Sequence, residues 1–119
     1  METRVYSWGD GRPWHSYAAY CRRHFGGRVR KIAVDAGLSC PNRDGTIGSE
    51  GCTFCDNRAF TPSYCSPRKS LTRQIEEGIA FHTARGRDEG LCLAYFQPFS
   101  NTHAPVARLR ELYAEALDH

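Results

Sequence analysis

No stretch of the sequence approaches the roughly 18 consecutive apolar residues that a membrane-spanning helix needs. The first ten residues also lack the apolar core of a secretory signal, so we expect no leader, no membrane partner and a cytoplasmic location. Hydrophobic residues make up 40% of the 119-residue chain and charged residues 24%, as in ordinary globular domains. The composition therefore excludes disordered, collagen-like and membrane-embedded classes.

The sequence has little net charge and only two lysines besides its arginines. Lysine and arginine together number 16 and aspartate and glutamate 13, which gives a formal charge of +3. The excess lies in residues 1–60 and centres on a basic cluster formed by Arg22, Arg23, Arg28, Arg30 and Lys31. Such a cluster can contact nucleic-acid phosphates, but it can equally form a solvated helix end and strand edge, so charge alone assigns no partner.

The spacing of apolar residues predicts the order helix, strand, long loop, helix, strand, loop, helix. It places a helix over 13–25, a strand over 29–35, a helix capped by Ser70, a fully buried strand over 91–96 and a last helix opened by Pro105. Strands that alternate with helices favour an α/β fold with a parallel sheet. Because two strands do not make a stable parallel sheet alone, we expect a truncated piece of a larger α/β structure that exposes the edge of the strand over 91–96.

Six cysteines without a leader favour metal binding or redox chemistry over disulfides. Cys40, Cys52 and Cys55 follow the first predicted strand, at the edge where parallel α/β folds place ligands. Thiolates suit zinc, copper(I) or iron–sulfur clusters. Three cysteines leave one iron of a [4Fe–4S] cluster open to a small-molecule chelate, whereas Cys65 as a fourth ligand would close the site, as in structural zinc.

The cysteine pattern by itself leaves two alternatives open. The first is a non-enzymatic zinc module that uses all four of these cysteines and contacts nucleic acid through the basic cluster. The second is a thiol oxidoreductase built on Cys52 and Cys55, which leaves Cys40 and the long loop unexplained. The remaining cysteines, Cys21 and Cys92, occupy apolar helix and strand positions and are predicted to be small core residues.

Three separated blocks of the sequence resemble the YhcC-type branch of the radical SAM superfamily, which is related to the catalytic subunit of elongator. The first block holds the cysteines and reads DAGLSCPNRDGT over 35–46 and GCTFC over 51–55. The others are LTRQIEEGIAF over 71–81 and AYFQPFSNT over 94–102. The resemblance runs from about Trp14 to the end of the sequence, and the blocks occur in the same order.

The resemblance implies the first two βα units of a partial, TIM-like radical SAM barrel, preceded by an N-terminal helix. Residues 1–28 are then a helical extension, and residues 29–119 are an incomplete radical SAM core. It also implies that Cys40, Cys52 and Cys55 hold a [4Fe–4S] cluster whose open iron chelates S-adenosylmethionine (SAM). Eleven residues separate Cys40 from Cys52, more than in the commonest radical SAM spacing. Proteins of this branch also depart from the commonest spacing at this point.

The resemblance further implies which residues contact SAM. Phe54 is expected near the adenine. The glycine-glycine-glutamate motif that often binds the SAM amino group is absent, and Gln97 occupies its place, with Ser100 and Asn101 behind it. Expected partners are a reductant such as flavodoxin or ferredoxin, an RNA substrate by analogy with elongator, and a further C-terminal part or another chain.

Overall fold

A computed structural model describes residues 2–59, 61–86 and 90–118. Its regular elements are α1 (Tyr17–Phe25), β1 (Val29–Val34), α2 (Leu71–Thr83), β2 (Leu91–Phe96) and α3 (Val106–Leu117). The predicted order of helices and strands is confirmed.

Within these ranges, no helix has both the length and the apolar character that crossing a membrane requires.

The two strands form a parallel sheet. The Leu91 N–H donates to the Arg28 carbonyl at 3.0 Å, and the Gln97 N–H donates to the Val34 carbonyl at 3.4 Å. The pairing therefore advances in the same direction along both strands. The loops that follow β1 and β2 consequently leave from the same edge of the sheet. This arrangement confirms the predicted α/β class.

The helix starts show where capping overrides apolar spacing. The N-cap of α1 is Ser16, whose side chain accepts from the Ala19 N–H at 3.4 Å, so the predicted start at residue 13 is wrong. The prediction for α2 is confirmed, because Ser70 accepts from the Arg73 N–H at 3.1 Å. A serine oxygen satisfies one of the free N–H groups of a first helical turn and so marks its beginning.

The predicted burial of β2 is wrong for most of its length. Leu91, Leu93 and Tyr95 are 53%, 43% and 39% exposed, and Cys92 is also exposed rather than a core residue. A strand is buried on both faces only when other elements cover both faces. The described part of the chain provides no such cover for these side chains.

Residue contacts divide the chain into two units. One comprises Met1–Arg30 with Glu89–Leu93, and the other comprises Lys31–Asp88 with Ala94–His119. In the first unit Cys21 is buried, as predicted, but Tyr17 and Phe25, which lie four residues before and after it on the same face of α1, are each 52% exposed. The apolar spacing of α1 therefore does not mark a buried face.

The second unit contains the main hydrophobic core. Its buried members are Ile32, Val34, Tyr64, Leu71, Ile75 and Leu112. Tyr64 belongs to the long loop between β1 and α2, and its hydroxyl oxygen accepts the Ala33 N–H at 3.1 Å. Part of that loop is therefore packed against the strand it follows.

Gly78 allows α2 to approach β1 closely. A Cβ at this position would lie 2.5 Å from the Ile32 Cγ2 and 2.9 Å from the Tyr64 ring. We expect Gly78→Ala to lower the free energy of unfolding by about 1–3 kcal/mol, because overpacking outweighs the gain that alanine usually brings in a helix. Urea unfolding measures the change, with the exposed Glu76→Ala as the control. A more stable Gly78→Ala chain would contradict the close approach.

Candidate functional site

The end of β1 is fixed by a buried glutamine from α2. Gln74 is fully buried. Its Oε1 accepts the Asp35 N–H at 2.8 Å, and its Nε2 donates to the carbonyls of Asp35 at 2.9 Å and Lys69 at 3.1 Å. One side chain thus pairs both backbone groups of the residue directly after β1. Gln74 thereby sets where the chain leaves the sheet.

The segment that follows, residues 39–55 and called here the cysteine loop, closes on itself. The Cys40 carbonyl accepts the Asp44 N–H at 2.9 Å, which forms a turn. The Gly51 N–H donates to the Asn42 carbonyl at 2.8 Å and brings the far end of the loop back to its start. A second turn, with a 3.1 Å bond from the Cys55 N–H to the Cys52 carbonyl, completes the loop.

Two of the predicted ligands accept hydrogen bonds at their sulfur atoms. The Ser100 hydroxyl donates to the Cys40 Sγ at 3.4 Å. This bond, together with the Asn42 backbone N–H, lowers the pKa of the Cys40 thiol. The Asn42 Nδ2 lies 3.7 Å from the Cys52 Sγ and donates to it. The lowered pKa of Cys40 favours its thiolate, which is the form that binds metals.

The three thiols do not form a closed ligand set. All three residues are partly exposed. Within the described ranges, however, no three side chains of His, Cys, Asp or Glu are grouped closely enough to hold a metal ion. The donor chemistry nevertheless fits a soft metal or an iron–sulfur cluster, because one accessible loop supplies three thiols and one of them is shifted toward thiolate.

Cys65 has different surroundings from these three thiols. Its Sγ donates to the Ala33 carbonyl of β1 at 2.9 Å, and the side chain packs against the hydrophobic core. Burial, followed by the nearby Asp35, raises the pKa of this thiol to about 11. A thiol in this setting is a poor metal ligand.

An open depression of about 430 Å³ lies beside Cys52. Its lining consists of Asn42, Gly48, Ser49, Glu50, Gly51 and Cys52. Phe54, between the last two cysteines, is 89% exposed, so its ring does not fill the loop's own interior. Both features leave room for a ligand on the C-x-x-C side of the loop.

The loop after β2 contains the other predicted cofactor-binding residues. Ser100 lies directly against Cys40. Asn101 supports its own loop, because its Nδ2 donates to the carbonyls of Phe96 at 2.9 Å and Pro98 at 3.2 Å. Gln97 is half-buried at the sheet edge, where its backbone N–H pairs with β1. The structure therefore brings Ser100 to the cysteines and shows a structural role for the Asn101 amide nitrogen.

Asp44 and His103 lie in two different loops, and the structure joins them. The Asp44 Oδ2 accepts the Ser39 hydroxyl at 2.6 Å and lies 2.9 Å from the His103 Nε2. Hydrogen bonds from Ser39 and Thr46 hold the pKa of Asp44 well below its usual range. The Asp44-Gly45 pair signals only a turn, and no local pattern indicates a partner 59 residues away.

The chain is similar to several longer curated proteins. It is 39% identical over 109 residues to the uncharacterized protein YtqA of Bacillus subtilis, a match that covers 87% of this chain and 32% of YtqA. Over 95 residues it is 39% identical to the protein YhcC of Escherichia coli, which covers 80% of this chain and 29% of YhcC. The chain thus spans about a third of the length of these relatives.

A third relative is archaeal. The uncharacterized protein MJ0486 of Methanocaldococcus jannaschii is 31% identical over 117 residues, which is 97% of this chain and 34% of that protein. No protein-family model and no solved structure matches the chain.

Proposed function

We propose that this chain is the cluster-binding portion of a radical SAM protein, in which Cys40, Cys52 and Cys55 hold a [4Fe–4S] cluster. One observation carries the proposal: three partly exposed thiols lie on one closed loop directly after β1, and Ser100 of the loop after β2 reaches one of them. When bound, the cluster and SAM would supply the reductive cleavage of SAM that starts radical chemistry on a substrate.

The chain's own residues hold the thiols in place. Hydrogen bonds from the Ser100 hydroxyl and the Asn42 backbone N–H lower the pKa of the Cys40 thiol. The Arg43 Nη2 donates to the Cys55 carbonyl at 2.9 Å and so ties the C-x-x-C turn to the beginning of the loop. A guanidinium in this position also compensates part of the negative charge that three thiolates bring together.

Groups suited to SAM lie on both sides of the cysteines. The exposed ring of Phe54 offers a face on which adenine can stack. The Gln97 side-chain carbonyl, at the edge of the sheet, can accept from the SAM amino group. The chain positions SAM, while a cytoplasmic reductant of the flavodoxin or ferredoxin class supplies the electron.

The substrate class that we propose is RNA, because the chain resembles a branch of radical SAM proteins that is related to elongator. The basic cluster in residues 22–31 provides arginines that can contact phosphates. Further parts of a longer protein, or another chain, complete the active site in this proposal. The relatives, of which this chain covers about a third, are long enough to include such parts.

Anaerobic reconstitution with ferrous iron and sulfide, run beside loading with zinc, tests the proposal. We expect a brown protein with iron–sulfur charge-transfer absorption, and we expect Cys65→Ala to retain it, because the Cys65 thiol lies against the core. A colourless protein with one tightly bound zinc that Cys65→Ala loses would instead establish the four-cysteine zinc module. Iron, sulfide and zinc are each measured per chain.

A further inference from the structure

One short stretch of the loop after β2, residues 99–103 and called here the bridge segment, contacts the start of the cysteine loop and Asn57, two residues after its end. At one end, the Phe99 N–H donates to the Asn57 Oδ1 at 3.3 Å, and the Cys55 Sγ lies 3.9 Å from the same oxygen. At the other end, the Ser100 N–H donates to the Ser39 carbonyl at 3.2 Å. The bridge segment is thus hydrogen-bonded at the start of the cysteine loop and just beyond its end.

A carboxylate joins the bridge segment to the Cys40 end of the loop. The Asp44 Oδ2 accepts from Ser39 at 2.6 Å and lies 2.9 Å from the His103 Nε2, while Thr46 donates to the Asp44 Oδ1 at 2.6 Å. The His103 and Asp44 side chains are 33% and 27% exposed, so the pair is partly shielded from water. Asp44 therefore links the neighbour of Cys40 directly to His103.

The backbone of the bridge segment requires such anchors. Phe99 has φ 63°, and within the described ranges it is the only residue other than glycine with a positive φ. A bulky side chain is sterically disfavoured there, and the conformation persists only where the surroundings hold the chain on both sides. Asn57 holds the backbone at Phe99, and His103 holds it four residues later.

We propose that His103 is a positioning residue that, through Asp44, fastens the Cys40 end of the cysteine loop to the bridge segment. The importance of this link for catalysis rests on the proposed function, because the cysteine loop that His103 positions carries the cluster ligands. The fastening itself involves only side chains of this chain. It keeps the Ser100 hydroxyl at the Cys40 sulfur, from which it donates.

Hydrogen exchange in the metal-free chain tests the fastening directly. In His103→Ala we expect the amide hydrogens of Thr46 and Ser100 to exchange about tenfold faster, as for the loss of one charge-assisted hydrogen bond. The melting temperature should hardly change, because the pair lies outside the hydrophobic core. His103→Gln should restore most of the protection, because its amide can still donate to Asp44. The exposed neighbour Thr102 provides the control Thr102→Ala.

Iron retention separates this proposal from the proposed function. After reconstitution we expect a chelator to remove iron about tenfold faster from His103→Ala than from wild type or His103→Gln. If wild type takes up no iron and sulfide, the proposed function fails, and the exchange rates still decide the role of His103. Equal exchange in wild type and His103→Ala would overturn the positioning role, and so would a His103→Gln chain as unprotected as His103→Ala.

Discussion

Cys52→Ser is expected to lose essentially all of its iron and sulfide after anaerobic reconstitution, a decrease of more than about tenfold relative to wild type. A serine hydroxyl is a hard, poorly ionised donor and does not replace a thiolate on a soft metal. A three-thiolate site also has no spare ligand. Cys65 is not a substitute, since its thiol donates to the Ala33 carbonyl and has a pKa of about 11. We expect the same loss for Cys40→Ser and Cys55→Ser.

The measurement is iron and acid-labile sulfide per chain, together with the charge-transfer absorption. Cys92→Ser is the matched control, because Cys92 is an exposed thiol outside the cysteine loop. It should retain the wild-type amount of cluster. A Cys52→Ser chain that keeps half of its iron, or a Cys92→Ser chain that loses it, would refute the assignment of ligands.

Gln74→Leu is expected to lower the free energy of unfolding by about 3–5 kcal/mol, close to the upper limit for a single substitution. Leucine has a similar size but makes no hydrogen bonds. Both backbone groups of Asp35 and the Lys69 carbonyl then lose their partner. Each buried unpaired group costs about 1–3 kcal/mol, and the three costs overlap because they belong to one site.

Urea unfolding measures this change through a lower midpoint at an unchanged slope. Glu76→Gln serves as the control on the exposed side of the same helix and should stay within about 0.5 kcal/mol of wild type. A Gln74→Leu chain that unfolds at the wild-type urea concentration would show that the end of β1 does not depend on this amide.

The sequence predicts those features of the fold that local chemistry decides. Ser70 begins α2 because a serine oxygen caps a first turn wherever the next residues favour a helix. The start of α1 could not be predicted in this way. Pro13 and Ser16 are both acceptable signals for a first helical turn, and only the hydrogen bond from the Ala19 N–H to Ser16 identifies the helix start. The apolar run of β2 predicts burial from its own residues, whereas two strands without further cover predict exposure, and exposure is observed.

In the candidate site, too, residues that lie close together in sequence could be predicted, whereas contacts between distant residues could not. Cys40, Cys52 and Cys55 are visible as a group because they are neighbours in sequence. The contact of Ser100 with Cys40 joins residues 60 positions apart and depends on the parallel pairing of the strands. Gln74 carried no signal, because a polar residue on an amphipathic helix is normally assigned to its exposed face. Only the structure shows that it faces the backbone of Asp35.

The surroundings of Cys65 have a consequence for oxidation of the chain. A thiol with a pKa of about 11 is ionised to only about one part in ten thousand at pH 7, and the thiolate is the form that attacks peroxides and disulfides. Cys65 therefore reacts slowly with oxidants, even though it lies only ten residues after Cys55. Cys40, whose pKa is lowered, is the more reactive of the two. Peroxide damage to this chain should therefore begin in the cysteine loop rather than in the core.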